Sequence, residues 1–273
     1  MNRLDALAKR ASEGRMDLLG RLYNDYLMPG RWTHYRAMLS AAKANGYRFV
    51  RHQDAEAALT EGQPRLFFLR HDIDTDVPLT RTMFAIEQEL GITSTYYFRR
   101  CTADPDLMHA IHASGSEVGY HYEEISDHVK ARGLRRAEEV LPAMESLRRQ
   151  FLQNLEAFEN RLGAKVHTVA AHGDFANRRL GLANTTLMSP QLRQAAGIRL
   201  EAYDGLLTGQ VSFRATDAMY PGLWKPSSPI EAVATQSPVI LFLAHPRHWQ
   251  RAPLHRFHID AQRLFDELRY RLR

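Results

Sequence analysis

The sequence predicts an α/β fold built around a parallel sheet, and three observations support this. Short apolar runs alternate with helical patterns along most of the 273 residues, which is typical of strand–helix–strand units with parallel strands. The composition, 44% hydrophobic and 25% charged, is that of a globular protein long enough for one α/β barrel or two small domains. No repeat or low-complexity linker divides the chain. The alternation alone leaves two architectures open, a doubly wound sheet and a closed barrel.

The candidate elements follow from hydrophobic periodicity and from turn residues. Predicted strands cover 66–70, 95–98, 117–120, 168–171, 198–202 and 239–244, and predicted helices cover 35–44, 79–90, 105–113, 134–161, 189–195 and 259–271. Near the N-terminus, leucines and alanines recur at helical spacing until Pro29-Gly30 breaks the pattern. We therefore predict an N-terminal helical extension over residues 1–31 and one α/β domain over residues 32–273.

Charge and cysteine content limit the partners and the cellular compartment that we expect. Lys plus Arg number 36 against 31 Asp plus Glu, a net charge of +5, and the excess is only partly concentrated, so no nucleic-acid partner is expected. A single cysteine, Cys101, rules out an intrachain disulfide and favours a reducing compartment. Charged residues interrupt the N-terminal apolar pattern, and the most apolar stretch, 239–244, is too short to cross a bilayer. We predict a cytoplasmic protein that is not an integral membrane protein.

Ionisable residues follow four of the predicted strands. They are His71-Asp72-Ile73-Asp74 after the first strand, His121 after the third, His172 after the fourth and His245 after the last. In a parallel barrel the carboxyl ends of the strands meet at one mouth, where active sites are found. The sequence therefore predicts that these side chains converge.

Two carboxylates and several imidazoles around one mouth suit a divalent metal that activates water for attack on a carbonyl. Asp72 and Asp74 point to the same side if the backbone stays extended. One of them can then hold the metal while the other accepts a proton from water. A histidine suits the second proton transfer, to the leaving amine, because its pKa lies near neutrality. The predicted chemistry is hydrolysis.

The order of four short motifs resembles a known family. The motifs are Leu69-Arg70-His71-Asp72-Ile73-Asp74, Ser94-Thr95-Tyr96-Tyr97-Phe98, Gly115-Ser116-Glu117-Val118-Gly119-Tyr120-His121 and Leu243-Ala244-His245-Pro246. Over roughly residues 32–250 the chain resembles the polysaccharide deacetylases (NodB homology, carbohydrate esterase family 4), in a divergent branch with His-Asp-x-Asp and Tyr-His-Tyr-Glu motifs. The resemblance implies a distorted (β/α) barrel of about seven parallel strands. It also implies removal of an N-acetyl group from an amino sugar during synthesis of a surface polysaccharide such as O-antigen or capsule.

The resemblance also implies roles for matching residues. Asp72 would be the general base, His245 the general acid, and Asp74 and His121 metal ligands. The metal would be Zn²⁺ by default, with Co²⁺, Ni²⁺ or Mn²⁺ as alternatives. The family's second histidine is missing, because Ile125 occupies its position.

Two further features of the site depart from the family. Glu123 is the preferred third ligand and His172 the alternative. The third family motif also lacks the arginine that holds the base, and His172 is expected to take that place.

Substrate contacts are expected from Asp217 and Trp224, which the family pattern puts in the substrate wall, and from Arg247 and Trp249 beside His245. The substrate would be an acetamido sugar, either a small molecule or lipid-linked; the oligomeric state stays open. Two alternatives remain: a catalytically inactive carbohydrate-binding or scaffolding protein, and a metal-dependent hydrolase of another amide or ester. The third ligand separates the inactive protein from the enzyme, because two ligands alone would hold a metal poorly.

Overall fold

The structure is a computed structural model that describes residues 20, 22–218 and 222–272. Its centre is a sheet of nine strands. The strands are β1 (Arg48–Phe49), β2 (Leu66–Ile73), β3 (Thr95–Phe98), β4 (Glu117–Tyr122), β5 (Thr168–Ala171), β6 (Leu200–Glu201), β7 (Phe213–Asp217), β8 (Trp224–Lys225) and β9 (Val239–Ala244). The strand order is β6-β5-β4-β3-β2-β9-β7-β8, and β1 pairs with β2. All pairs are parallel except β7–β8.

Eleven α-helices accompany this sheet in the described part of the chain. They are α1 (Trp32–Ala44), α2 (Ala55–Thr60), α3 (Val77–Leu90), α4 (Pro105–Ala113), α5 (Glu124–Arg132), α6 (Met144–Leu162), α7 (Phe175–Leu180), α8 (Pro190–Ala196), α9 (Gly205–Thr208), α10 (Pro229–Ala234) and α11 (Pro253–Leu272). Every helix among the described residues is too short or too polar to cross a bilayer.

The sheet curls into a barrel that stays open between its two terminal strands, β6 and β8. This confirms the predicted distorted (β/α) barrel. Strand β2 lies at its centre and alternates between the two faces. Its residues Phe67 and Leu69 pack outward in a cluster with helices α1, α3 and α10. Phe68 packs inward and shares a cluster with Leu200 of β6 and Leu241 of β9, so side chains from distant strands fill the barrel interior.

Gly119 allows the ring of Tyr97 and the backbone of β5 to lie close to strand β4. A Cβ atom at this position would lie 2.4 Å from Cε1 of Tyr97 and 2.8 Å from the carbonyl oxygen of Thr168. Cβ atoms in proteins do not make contacts this short, so any larger residue at position 119 would force the neighbouring strands apart. Strand β4 therefore passes the ring of Tyr97 only because position 119 has no side chain.

The predicted strands are found, with differences at their ends. Strands β3, β5 and β9 have the predicted bounds, whereas β2 and β4 run further and include His71, Asp72 and His121. These three residues therefore lie inside strands rather than after them. Strands β1, β7 and β8 were not predicted. Two of them have only two residues, and β7 places arginine, threonine and aspartate among few apolar residues, which hides the usual alternation.

The predicted N-terminal extension can be followed only in part, because residues 1–19 and 21 lie outside the described residues. A short π-helix, Tyr23–Leu27, precedes α1. Its Asp25 is buried and bonds to Arg256 of α11 at 2.9 Å and to Arg247. The division into residues 1–31 and 32–273 stays a prediction.

His71, the first residue of the His-Asp-x-Asp motif, points away from the barrel interior. Its Nε2 lies 2.8 Å from Oε1 of Glu87 on α3, and both side chains are buried. Glu87 also accepts hydrogen bonds from Tyr96 at 2.7 Å and from the hydroxyls of Tyr35 and Ser94. One carboxylate thus ties α1, α3, β2 and β3 together, and His71 has a structural role.

We expect Glu87→Ala to lower the free energy of unfolding by about 3–5 kcal/mol, because it leaves a buried histidine and three hydroxyls without their shared acceptor. Urea denaturation followed by circular dichroism measures the change. Glu89→Ala is the matched control on the same helix, because the pair of Glu89 with Arg36 is exposed and should contribute less than about 1 kcal/mol. Equal losses in the two variants would contradict the anchoring role of Glu87.

Candidate active site

A cavity of about 720 Å³ opens at the carboxyl ends of the strands. Asp72 and Asp74 line it from the end of β2, His172 from the end of β5, and His245 from the end of β9. One side of the cavity is formed by α11 through His255, Ile259, Gln262 and Asp266. The predicted convergence at the barrel mouth is present, and the lining is rich in carboxylates.

Asp74, His121 and His172 form a group whose ligand atoms all lie within 4.8 Å of one another. The Nε2 atoms of His121 and His172 lie 3.2 and 3.5 Å from Oδ1 of Asp74. Strands β4 and β5 are neighbours, which brings the two imidazoles together at the edge of the sheet. Their ring centroids are 5.2 Å apart. This arrangement of one carboxylate and two imidazoles matches the ligand types of catalytic zinc sites.

The hydrogen bonds around these three residues fit a bound cation. His121 donates from Nδ1 to the carbonyl of Ala170 at 2.9 Å, so in the neutral ring Nε2 carries a lone pair. That lone pair faces Asp74, and Oδ2 of Asp72 lies 3.5 Å away. Oδ1 of Asp74 is buried and has no hydrogen-bond donor among the described residues. Lone pairs directed at one another repel, and a divalent cation between them removes the repulsion.

The charges around Asp74 and His121 shift the pKa values of both residues. Burial opposes ionisation of Asp74, but His172 and His121 outweigh it and hold the pKa of Asp74 well below its usual value. Burial likewise lowers the pKa of His121, while Asp72 and Asp74 raise it by more, so the net pKa is raised. Both directions express a demand for positive charge at the centre of the group.

Glu123, the preferred third ligand in the sequence analysis, lies outside this group. Arg99 donates to both its carboxylate oxygens, at 3.0 and 2.6 Å. Burial raises the pKa of Glu123, but His172 and Arg99 lower it by more, so it stays ionised. Its Oε2 lies 3.2 Å from Nδ1 of His172. Since both oxygens are bonded to the guanidinium, the geometry favours His172 as the third ligand and places Glu123 beside the other nitrogen of that ring.

Asp72 is held by an arginine from its own strand. Arg70 donates to both oxygens of Asp72, at 2.7 and 2.8 Å, and both side chains are buried. Burial opposes ionisation of Asp72, but Arg70 and then His121 lower its pKa below the usual value. A carboxylate held ionised in this position can act as a general base.

The sequence predicted that His172 holds the base, and this prediction is wrong, because Arg70 holds Asp72. His172 contacts Asp74 and Glu123 instead. The signal was present in the sequence, because residues i and i+2 of a strand share a face. In Leu69-Arg70-His71-Asp72, this spacing places Arg70 and Asp72 on the same face of strand β2.

Asp217 and His245 form a second pair on the other side of the cavity. Nδ1 of His245 lies 2.8 Å from Oδ1 of Asp217, and the backbone N–H of His245 donates to Oδ2 at 2.7 Å. His248 and Trp249 approach the same carboxylate, at 3.0 and 2.9 Å. Burial lowers the pKa of His245, but Asp217 raises it by more, to about 9. The imidazolium is therefore charged at neutral pH and can donate a proton.

Asp217, His245 and His248 also have a spacing that metal ligands can adopt. Their separations are those of hydrogen bonds, however, and Asp217 already accepts from Trp249 and from the backbone of His245. A histidine oriented by a buried carboxylate is a common device for proton transfer. The geometry of this group therefore suits proton transfer better than a second metal.

Several predicted substrate contacts lie elsewhere. Asp217 is 3% exposed and Trp249 is fully buried, so the first orients His245 and the second packs in the core. Trp224 packs against Trp249 and Phe242, with ring centroids 5.6 and 5.7 Å apart. Arg247 does line the cavity, but it is ion-paired with Asp25 and Asp260. Of these four residues, only Arg247 lines the cavity.

Comparisons with known proteins find a weak structural similarity and no match to a family model or a curated protein. Among solved structures the chain is similar to a carbohydrate esterase family 4 pseudoenzyme from Bacillus anthracis (11% identity, TM-score 0.41, 72% of this chain and 60% of the other). It is also similar to the peptidoglycan deacetylase PdaC from Bacillus subtilis (13% identity, TM-score 0.38, 77% and 98%).

A third similar structure is a family 4 acetyl xylan esterase from Clostridium thermocellum in complex with a cobalt ion (12% identity, TM-score 0.34, 76% of this chain and 85% of the other). The chain spans about three fifths of the length of the pseudoenzyme. The pseudoenzyme and the acetyl xylan esterase are both described as family 4 proteins, the family whose motifs the chain resembles.

Proposed function

We propose that this protein is a metal-dependent N-deacetylase that removes an acetyl group from an amino sugar. The observation that carries the proposal is the meeting of three groups of residues at one cavity. These are the ligand group Asp74, His121 and His172, the Arg70-held Asp72, and the Asp217-held His245. Metal-dependent hydrolysis of an amide uses these three functions: a Lewis acid, a base for water and an acid for the amine.

Each residue has a defined task in this reaction. A divalent metal held by Asp74, His121 and His172 would polarise the acetyl carbonyl and lower the pKa of water. Asp72 accepts the proton of the attacking water, since Arg70 keeps it ionised. His245 gives its proton to the departing amine nitrogen, since Asp217 keeps it charged. The base and the acid begin in opposite protonation states, as a single turnover requires.

The available third ligand favours an enzyme over an inactive carbohydrate-binding protein. That alternative depends on the loss of a third ligand, and His172 offers a ligand atom in place of the one that Ile125 lacks. The second alternative, hydrolysis of another amide or ester, uses the same groups and is separated by substrate profiling. We place the substrate in surface-polysaccharide synthesis and the reaction in the cytoplasm on the basis of the sequence.

Metal content of purified variants tests the ligand group. We expect about one equivalent in wild type after purification without chelator, and almost none in His121→Ala or His172→Ala. Glu123→Ala should still bind metal, about 10–100-fold more weakly, because it removes only the carboxylate that orients His172. His109→Ala is the control, because this histidine is exposed on α4. Elemental analysis and zinc titration measure both quantities.

Two results would overturn the proposal. Absence of metal in wild type, with no uptake of zinc, cobalt or manganese on titration, removes the reaction. Loss of metal in Glu123→Ala with retention in His172→Ala would make Glu123 the ligand. Acetate release from a panel of acetamido sugars then tests the bond that is cleaved.

A further inference from the structure

A second cavity, of about 460 Å³, lies at the open seam of the barrel. The seam separates β6, at one end of the sheet, from the β7–β8 hairpin at the other. Ten residues line this seam cavity: Arg70, Ala202, Tyr203, Arg214, Ala215, Thr216, Lys225, Pro226, Leu241 and Leu243. It lies where two strands of a closed barrel would pair, so it results directly from the incomplete closure.

The charge of the seam cavity is opposite to that of the active-site cavity. Its lining has three cationic side chains, Arg70, Arg214 and Lys225, and no carboxylate. The active-site cavity, by contrast, has seven acidic residues in its lining, Asp72 and Asp74 among them, against four arginines and lysines. A cation suits one cavity and an anion suits the other.

The two cations of the hairpin stand side by side. Lys225 is paired across the hairpin with Thr216, and Arg214 lies two residues before Thr216 on the same strand face. Both are exposed, and neither forms an ion pair with any residue in the described part of the chain. Arginine and lysine that share a face are a donor set for phosphate oxygens.

The opposite wall offers an aromatic surface. Tyr203 is 45% exposed, and the guanidinium of Arg70 lies 4.7 Å from its ring centroid. Its hydroxyl also accepts a hydrogen bond from Arg70 at 3.2 Å. Leu241 and Leu243 form the floor. A concave, largely apolar site with a few convergent polar groups is typical of small-molecule pockets.

We propose that the seam cavity binds the phosphate group of a phosphate-linked sugar, with Arg214 and Lys225 as its donors. Nucleotide-linked and lipid-linked sugars share a pyrophosphate, and the residues of the seam recognise that shared chemistry. Arg70 connects the two cavities, because it lines the seam and holds Asp72 at the active site. The binding site stands on its own residues, whereas its use in substrate recognition rests on the proposed function.

Calorimetric titration of metal-free protein with inorganic pyrophosphate and with UDP tests the site, because removal of the metal takes away the cation that phosphate oxygens would bind at the active site. We expect the affinity for both probes to fall at least about tenfold in Arg214→Gln/Lys225→Gln and to fall with added salt. The replaced side chains are exposed, so the fold should persist, and circular dichroism checks this. Arg149→Gln/Arg161→Gln, which replaces two exposed arginines on α6, is the charge-matched control.

Either of two outcomes overturns the proposal: no measurable heat with either probe in wild type, or equal affinity in wild type and in the double variant. Tighter binding of UDP than of pyrophosphate would identify a nucleotide-linked ligand, and equal binding would show that the site reads the pyrophosphate alone. Both of these results support the site. Because the titration needs neither metal nor turnover, its failure is distinct from a failure of the deacetylase proposal.

Discussion

Asp72→Asn is expected to lower kcat for deacetylation by about 10²–10⁴ while the protein keeps its bound metal. An amide cannot accept the proton of the attacking water, so the base is lost. The ligand atoms of Asp74, His121 and His172 are unchanged, so the metal stays. Acetate release and elemental analysis of the same preparation measure the two quantities together.

Asp74→Asn is the matched comparison, two residues further along the chain. It removes the carboxylate whose Oδ1 faces both imidazoles, so we expect loss of metal and of activity together. Both substitutions replace an aspartate by an asparagine, and their expected results differ in whether the protein retains metal. Full activity in Asp72→Asn would remove Asp72 as the base, and metal retention in Asp74→Asn would remove that residue as a ligand.

Stability complicates the first variant, because Asp72 is the partner of the buried guanidinium of Arg70. Loss of a buried ionic partner costs about 3–5 kcal/mol, so thermal denaturation must show that the variant is folded at the assay temperature. Arg70→Lys gives independent evidence. It keeps the positive charge but loses the two parallel hydrogen bonds, and should lower kcat with unchanged metal content. Unchanged kcat would mean that the fork geometry of Arg70 does not position the base.

The sequence predicted the residues that end the central strands better than it predicted their partners. Asp72, Asp74, His121 and His245 were found because a parallel sheet brings the carboxyl ends of its strands together. That inference needs only strand order and polarity, and it survives errors of two residues in the strand ends. His172 was already a candidate for the same reason.

The contact partners of these site residues are harder to predict, because they depend on how deeply each side chain is buried. Glu123 and His172 both follow sheet strands, and only the bidentate contact of Arg99 with Glu123 decides between them. Asp217 ends β7, a strand that carries no clear hydrophobic alternation, so its contact with His245 could not be foreseen. The seam cavity was equally hidden, because it arises from strands that do not pair.

The pH dependence of the reaction should reveal the Asp217–His245 pair. His245 must be protonated to act as the acid, and its pKa is raised to about 9. In wild type, kcat/KM should therefore fall as pH rises through about 9, where this proton is lost. Asp72 has a lowered pKa, so it remains ionised at neutral pH and does not limit the rate there.

Asp217→Asn removes the main charge that raises the pKa of His245 and leaves the burial that lowers it. The alkaline limb should then move to lower pH by at least about one unit, and activity at neutral pH should fall. His245→Ala should abolish this limb and lower kcat by about 10²–10⁴.

His248→Ala is the control, because it removes a second contact of Asp217 but keeps the bond to His245, and it should leave the limb near its wild-type position. A limb that stays in place in Asp217→Asn would show that another group donates the proton. In that event the buried carboxylate would serve the packing of Trp249 rather than the chemistry.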